Sequence, residues 1–237
     1  MRKFILIASL LFSMNANAVL LTELLNGGSI TVGDKLFDQW EVIFEDSSDF
    51  SFNGVNTDDI DVTGLPDGGL DPGPGLHFEV ANDALSILGD GLFFSYLDFH
   101  FGFRVSVLDD DFLIKDNSLY LTDYGLSLDP LGLQAGVFIE EWIHSDATRL
   151  NQIGHKDVYA YDEGFGEDTK LSDAADFTPT NEIWVRKNIL VSATEFGDFA
   201  TLNSFEQRFS QTTIPEPSMF LLLALGLFGI AVKRKRS

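Results

Sequence analysis

The sequence predicts an all-β fold, a single β-sandwich or jelly-roll-like domain, and three observations carry that expectation. The first is a clean period-two stretch over residues 97–107. There Leu97, Phe99, Phe101, Phe103, Val105 and Val107 alternate with Asp98, His100, Gly102, Arg104 and Ser106. Successive side chains of a strand point to opposite faces, so this pattern gives one apolar and one wet face. The second is a series of further short apolar or alternating runs at near-regular spacing. The third is the weakness of helical periodicity between the chain ends.

Taken in order, the expected strands cover residues 29–36, 41–45, 49–55, 76–80, 97–107, 118–128, 136–144, 157–161, 183–192 and 204–210. Turn residues recur along this series: Asn26-Gly27-Gly28, Asn53-Gly54, Asp123-Tyr124-Gly125 and Glu163-Gly164. Glycine and asparagine accept the backbone angles that tight turns need. Residues 58–75, rich in Gly, Pro and Asp, read as a surface loop. The longest helical candidate, residues 146–153, is short. Asp109-Asp110-Asp111 reads as a charged turn closing the 97–107 strand.

The 237 residues include 37 Asp and Glu, 15 Lys and Arg, 22 Phe and no Cys. The absence of cysteine excludes a disulfide framework, a thiolate metal site and a cysteine nucleophile. Residues 19–214 hold 9 basic and 36 acidic side chains, a net charge of −27. Nucleic acid is excluded as a partner, because its phosphates require clustered Lys and Arg.

The basic residues left over sit at the two ends. Arg2 and Lys3 precede an apolar run from Phe4 to Phe12, which leads to Ala16-Asn17-Ala18. A basic start, a short apolar segment and small residues at Ala16 and Ala18 predict a secretory signal peptide over residues 1–18. Its partners are the Sec machinery and signal peptidase. At the other end Ile214-Pro215-Glu216-Pro217-Ser218 precedes an apolar run from Met219 to Val232, then Lys233-Arg234-Lys235-Arg236. Residues 218–232 read as a single transmembrane helix. It is shorter than a hydrocarbon core of about 30 Å, and the basic cluster can snorkel to bridge part of the gap. That cluster should stay cytoplasmic, which leaves the body outside the inner membrane.

Pro215-Glu216-Pro217, the apolar helix and the basic tail together resemble the PEP-CTERM sorting signal of Gram-negative bacteria. The resemblance covers residues 213–237 and assigns residues 19–212 to an extracytoplasmic β domain. It implies recognition by an exosortase, an integral membrane cysteine protease-transpeptidase. It also implies a temporary membrane anchor that is removed as the protein passes to the envelope or matrix, and a setting of exopolysaccharide and biofilm. Gly27-Gly28-Ser29-Ile30 and Ser204-Phe205-Glu206-Gln207-Arg208-Phe209 look similar to segments of other extracytoplasmic PEP-CTERM proteins, without an activity attached to them.

The best metal candidate is Asp59-Ile60-Asp61-Val62-Thr63-Gly64. Asp59, Asp61 and Thr63 stand at the first ligand positions of a calcium loop, with Asp67 and Asp71 as further oxygen donors. The twelfth position is Leu70, where such a loop needs a bidentate Glu, so a solvated acidic turn is the competing reading. His77, His100, His144 and His155 show no zinc spacing, and His100 is expected to be exposed on the polar side of its strand. Glu140, Glu141 and Trp142 suggest a glycosidase site, but adjacent strand residues face opposite sides, so the two carboxylates cannot act on one bond. Trp40 and Trp184 read as core or sheet-face residues. The functional expectation is an exported, non-enzymatic envelope or matrix protein associated with exopolysaccharide. The alternatives are a calcium-assisted carbohydrate-binding module and a polysaccharide hydrolase.

Overall fold

The computed structural model describes residues 18–91, 94–130 and 132–214. In chain order its strands are β1 (Val19–Leu20), β2 (Ile30–Val32), β3 (Lys35–Ser47), β4 (Ile60–Leu65), β5 (Gly75–Val80), β6 (Ser86–Leu88), β7 (Ser95–Val107), β8 (Phe112–Ser127), β9 (Ala135–His144), β10 (Gln152–Asp162), β11 (Glu167–Lys170), β12 (Ser172–Thr180), β13 (Glu182–Ala193), β14 (Phe199–Arg208) and β15 (Gln211–Thr213). A five-residue helix, α1 (Leu21–Leu25), follows β1 and buries Leu21 and Leu24, one turn apart.

The strands form two antiparallel sheets packed as a sandwich. One runs β1-β4-β5-β14-β8-β12, with β15 also paired to β8 and β6 to β14; the other runs β11-β10-β9-β13-β7-β3-β2. The all-β expectation therefore holds. Neighbours in the sheets are often distant in sequence: β13 lies between β9 and β7, and β14 between β5 and β8.

Period-two alternation puts one face of each long strand inside. On β7, Leu97, Phe99, Phe101, Phe103 and Val105 are buried, as the sequence predicts. Phenylalanine dominates the centre. Phe78 on β5 stacks on its partner Phe205 on β14 at 4.4 Å between ring centroids, and Trp40 stacks on Phe103 at the same distance. Trp40 reaches the core because β3 is bulged between Asp38 and Glu41. Gln39 there takes a positive φ of 53°, which shifts the inward parity from Lys35 and Phe37 to Trp40.

Five local expectations are corrected. Residues 49–55 form a turn and an irregular stretch rather than a strand. Asp49 bonds the backbone N–H and hydroxyl of Ser51 and diverts the chain. Residues 29–36 are a hairpin, with β2 and β3 joined at Gly33-Asp34. Residues 58–75 are not wholly loop, because β4 occupies residues 60–65, burying Ile60 and Val62. Residues 146–153 are a turn leading into β10 rather than a helix. His100 is buried at 9% exposure instead of open to solvent. The loop before β5 closes against β14, where a side chain on Gly73 would meet the Phe209 carbonyl oxygen at 2.0 Å.

Among the described residues no helix is long and apolar enough to cross a membrane. The predicted transmembrane segment 218–232, Ala16, Pro215, Glu216, Pro217 and Lys233 to Arg236 lie outside the described residues. Ala18, which precedes β1 directly, is exposed.

Candidate functional site

Glu140 and Glu141 occupy opposite faces of β9, as strand geometry requires. Glu140 lies on the outer face of the seven-stranded sheet, with its carboxylate 2.7 Å from His155 Nε2. Trp142 shares that face. The Arg186 guanidinium lies 5.3 Å over its ring, and the His155 ring flanks it at 5.6 Å. Arg186 also meets His100 Nδ1 at 3.1 Å, and His100 Nε2 meets Asp98 at 2.9 Å, which explains the burial of His100. Trp184 is covered by Arg104 and Arg149, and Trp40 is a core residue. The indole faces of this sheet are therefore occupied by the protein's own cations.

Glu141 points the other way and is sealed in the core. It lies in register between Lys156 on β10 and Lys187 on β13, so one inward-facing row reads Lys–Glu–Lys across three strands. All three side chains have zero exposure. Glu141 Oε1 accepts from Lys156 Nζ at 2.5 Å, and Oε2 accepts from Lys187 Nζ. Gln207 descends from β14 in the opposite sheet, and its Nε2 donates to Glu141 Oε1 at 2.7 Å. Gln207 Oε1 is buried without a hydrogen-bond partner, a defect worth about 1–3 kcal/mol. Lys187 also lies 5.1 Å from the Phe205 ring.

Electrostatics in this row oppose each other. Burial pushes the Lys156 amine down to about 8, despite the Glu141 carboxylate beside it. Lys187 is also lowered by burial. Burial alone would raise the Glu141 carboxyl, but the charges of Lys156 and Lys187 outweigh it and hold the group below the usual carboxylate range. Sequence reasoning missed this site. The usable signal was parity: Glu141, Lys156 and Lys187 each stand at an inward position among apolar neighbours such as Ile139, Val158 and Val185.

Three of the five calcium candidates are engaged by separate partners. Asp59 accepts from Asn56 Nδ2 at 2.5 Å and from Asn82 Nδ2 at 2.8 Å. Asp61 and Thr63 are half-buried on β4. Asp67 pairs with Arg208 at 2.7 Å and Asp71 with Lys115 at 3.0 Å. Among the described residues no three His, Asp or Glu side chains are grouped to hold a metal ion.

The ends of the sandwich differ. At one end β15 pairs with the start of β8, and the Ile214 N–H donates to the Asp111 carbonyl in the β7–β8 turn. At the other end the loops form an open groove of about 540 Å³, lined by Ser48, Asp49, Phe50, Leu88, Asp90 and Phe196 among others. Phe50 is fully exposed and Phe196 is 76% exposed. Asp198, in the loop that carries Phe196, accepts backbone N–H bonds from Asp129, Leu133 and Glu195 at 3.0–3.2 Å and ties that loop to the neighbouring one. The 13-residue β7 runs between the two ends, about 40 Å at ~3.3 Å per residue.

Three solved structures show similarity to the chain. TmCBM61 in complex with β-1,4-galactotriose is 11% identical, with a TM-score of 0.25, covering 74% of this chain and 89% of that one. TmCBM27, a carbohydrate-binding module studied for specific mannan recognition, is 9% identical, with a TM-score of 0.27, covering 72% and 98%. Endoglucanase 3 of Trichoderma harzianum, from family GH12, is 10% identical, with a TM-score of 0.21, covering 76% and 97%. Likenesses this shallow say nothing of what the chain binds. No curated protein sequence matches it. Residues 213–236, which follow directly from the β15 end of the sandwich, match the PEP-CTERM protein-sorting motif. The chain thus carries a PEP-CTERM sorting motif at its C-terminal end, a signal that implies recognition by an exosortase.

Proposed function

We propose that the protein is a non-catalytic component of the cell envelope or extracellular matrix that holds neutral polysaccharide in the groove at the end of the sandwich remote from its sorting motif. The observation that carries this reading is that exposed Phe50 and Phe196 line the groove at one end of the sandwich while Ile214 is bonded to the β7–β8 turn at the other. A precursor anchored through its C-terminus would present that groove away from the membrane. Exposed aromatic faces give apolar contact to the C–H faces of sugar rings. Ser48, Asp49 and Asp90 supply polar groups of the kind that orient hydroxyls. The loop that carries Phe196 is held by Asp198 through the Glu195 N–H, so binding need not order that loop. A body charge of −27 repels polyanions, which directs the reading to neutral glycans. The outward and inward placement of Glu140 and Glu141 supports an absence of paired-carboxylate chemistry at that pair.

Affinity electrophoresis in gels cast with galactan, mannan, dextran or alginate tests this reading. Retardation by a neutral polymer that disappears in Phe50→Ala and Phe196→Ala supports it. Uniform mobility in every gel, retardation untouched by both substitutions, or stronger retardation by alginate overturns it. Release of reducing sugar from any of these polymers overturns the non-catalytic part.

A further inference from the structure

We propose that Lys156 and Gln207 become joined by an isopeptide bond inside the folded core, with Glu141 as the proton-transferring group. The bond would tie β10 of one sheet to β14 of the other. The three groups required for such a reaction meet at one carboxylate oxygen. Glu141 Oε1 accepts from the Lys156 amine at 2.5 Å and from the Gln207 carboxamide nitrogen at 2.7 Å. The two nitrogens are therefore separated by no more than those two contacts laid end to end.

The reaction balances without a co-reactant. Lys156 Nζ attacks Gln207 Cδ, the Nζ–Cδ bond forms, and the Cδ–Nε2 bond breaks. Glu141 takes the proton that Nζ sheds and delivers it to Nε2, which leaves as ammonia. One carboxylate oxygen already touches both the nitrogen that loses a proton and the nitrogen that gains one, which is the placement general acid–base catalysis needs. The nucleophile must be a neutral amine, and burial brings Lys156 down to about 8, so the free base is accessible at mild pH. Gln207 Oε1 has no partner. The Lys187 ammonium, held on Glu141 Oε2, supplies a cation in the same pocket for the charge that builds on that oxygen. Burial of all the participants excludes water, the competing nucleophile. Ammonia escapes while the protein partners stay fixed, which drives the step forward.

The bond also answers a compositional problem. The chain is an export precursor without a single cysteine, so no disulfide can staple its two sheets. An amide removes the buried Lys156–Glu141 ion pair in exchange for a covalent cross-link between sheets.

Intact-mass measurement of the full chain, expressed with its signal peptide and purified from membranes, tests the proposal. The expected mass is that of the processed sequence less one ammonia. Trypsin should fail to cut at Lys156 and should yield residues 150–170 joined to residues 188–208. Gln207→Leu and Lys156→Met should restore the unmodified mass, and Glu141→Gln should fold but stay unlinked. A wild-type mass equal to the processed sequence overturns the proposal. So does an ammonia loss located by fragmentation elsewhere, such as at Asn26-Gly27 or Asn53-Gly54, or a link through Lys187.

Discussion

Glu140 and Glu141 are adjacent in sequence, yet one carboxylate lies 2.7 Å from His155 on the outer sheet face while the other is sealed between Lys156 and Lys187 at zero exposure. The pair divides the molecule into an outer face of solvated charge pairs and an inner row where charge balance decides whether the core is stable. The exposed pair should contribute little, because screened ion pairs are worth about 0–1 kcal/mol. The buried row should matter far more.

Glu141→Ala leaves two ammonium groups in the core without their counter-charge. Removing one partner of a buried ion pair costs about 3–5 kcal/mol, so the substitution should destabilise the protein by that order in urea unfolding. Glu140→Ala, by contrast, should shift stability by no more than about 1 kcal/mol. Equal effects of the two substitutions would refute the division between faces.

Phe205→Ala should cost about 3–5 kcal/mol, since the ring is 1% exposed and stacked on Phe78. Phe196→Ala and Phe50→Ala should stay within about 0.5 kcal/mol of wild type, because both rings are solvent-exposed. Thermal melts of the three variants check the contrast.

Acid should weaken the fold through Asp198 and His144. Burial alone would raise the Asp198 carboxyl, but backbone N–H donors from Glu195, Asp129, Leu133 and Gln134 hold it below its ordinary value of 3.8. Its folded-state pKa is depressed, so its contribution is complete above 3.8 and is lost as pH falls toward the folded value. Burial lowers His144 below 6.5. The unfolded chain therefore takes up a proton first, and stability declines as pH drops through 6.5. Melting temperature followed from pH 8 downward should fall below 6.5 and fall further below 3.8, with a shallower first drop in His144→Gln.

Calcium should leave the melting temperature unmoved. Asp67 and Asp71 are engaged by Arg208 and Lys115, and a ligand that binds only the folded state must raise stability. A melting point that climbs with calcium and returns with chelator would show that these loops rearrange around the ion.

Substituting Pro215-Glu216-Pro217 by alanines should leave the precursor membrane-bound with its basic tail intact, as read by mass spectrometry of the C-terminus. Wild-type protein should end near residues 215–218.

The sequence by itself determined the sorting motif, the β class and the inward face of the long strands. These are local properties, because a strand's faces alternate every residue whatever it pairs with. It misjudged residues 58–75, where Asp and Gly density hid the Ile60–Val62 face of β4, and His100, whose neighbours Arg186 and Phe44 come from other strands. Only the tertiary structure decided that Gln207 meets Glu141 from the opposing sheet, 66 residues away, and that Phe50 and Phe196 share one groove. It also decided that Asp59, Asp67 and Asp71 find separate partners. Sheet order and sheet-on-sheet packing fix these meetings, and both arise from burying the whole core at once, which leaves no period in the sequence to read.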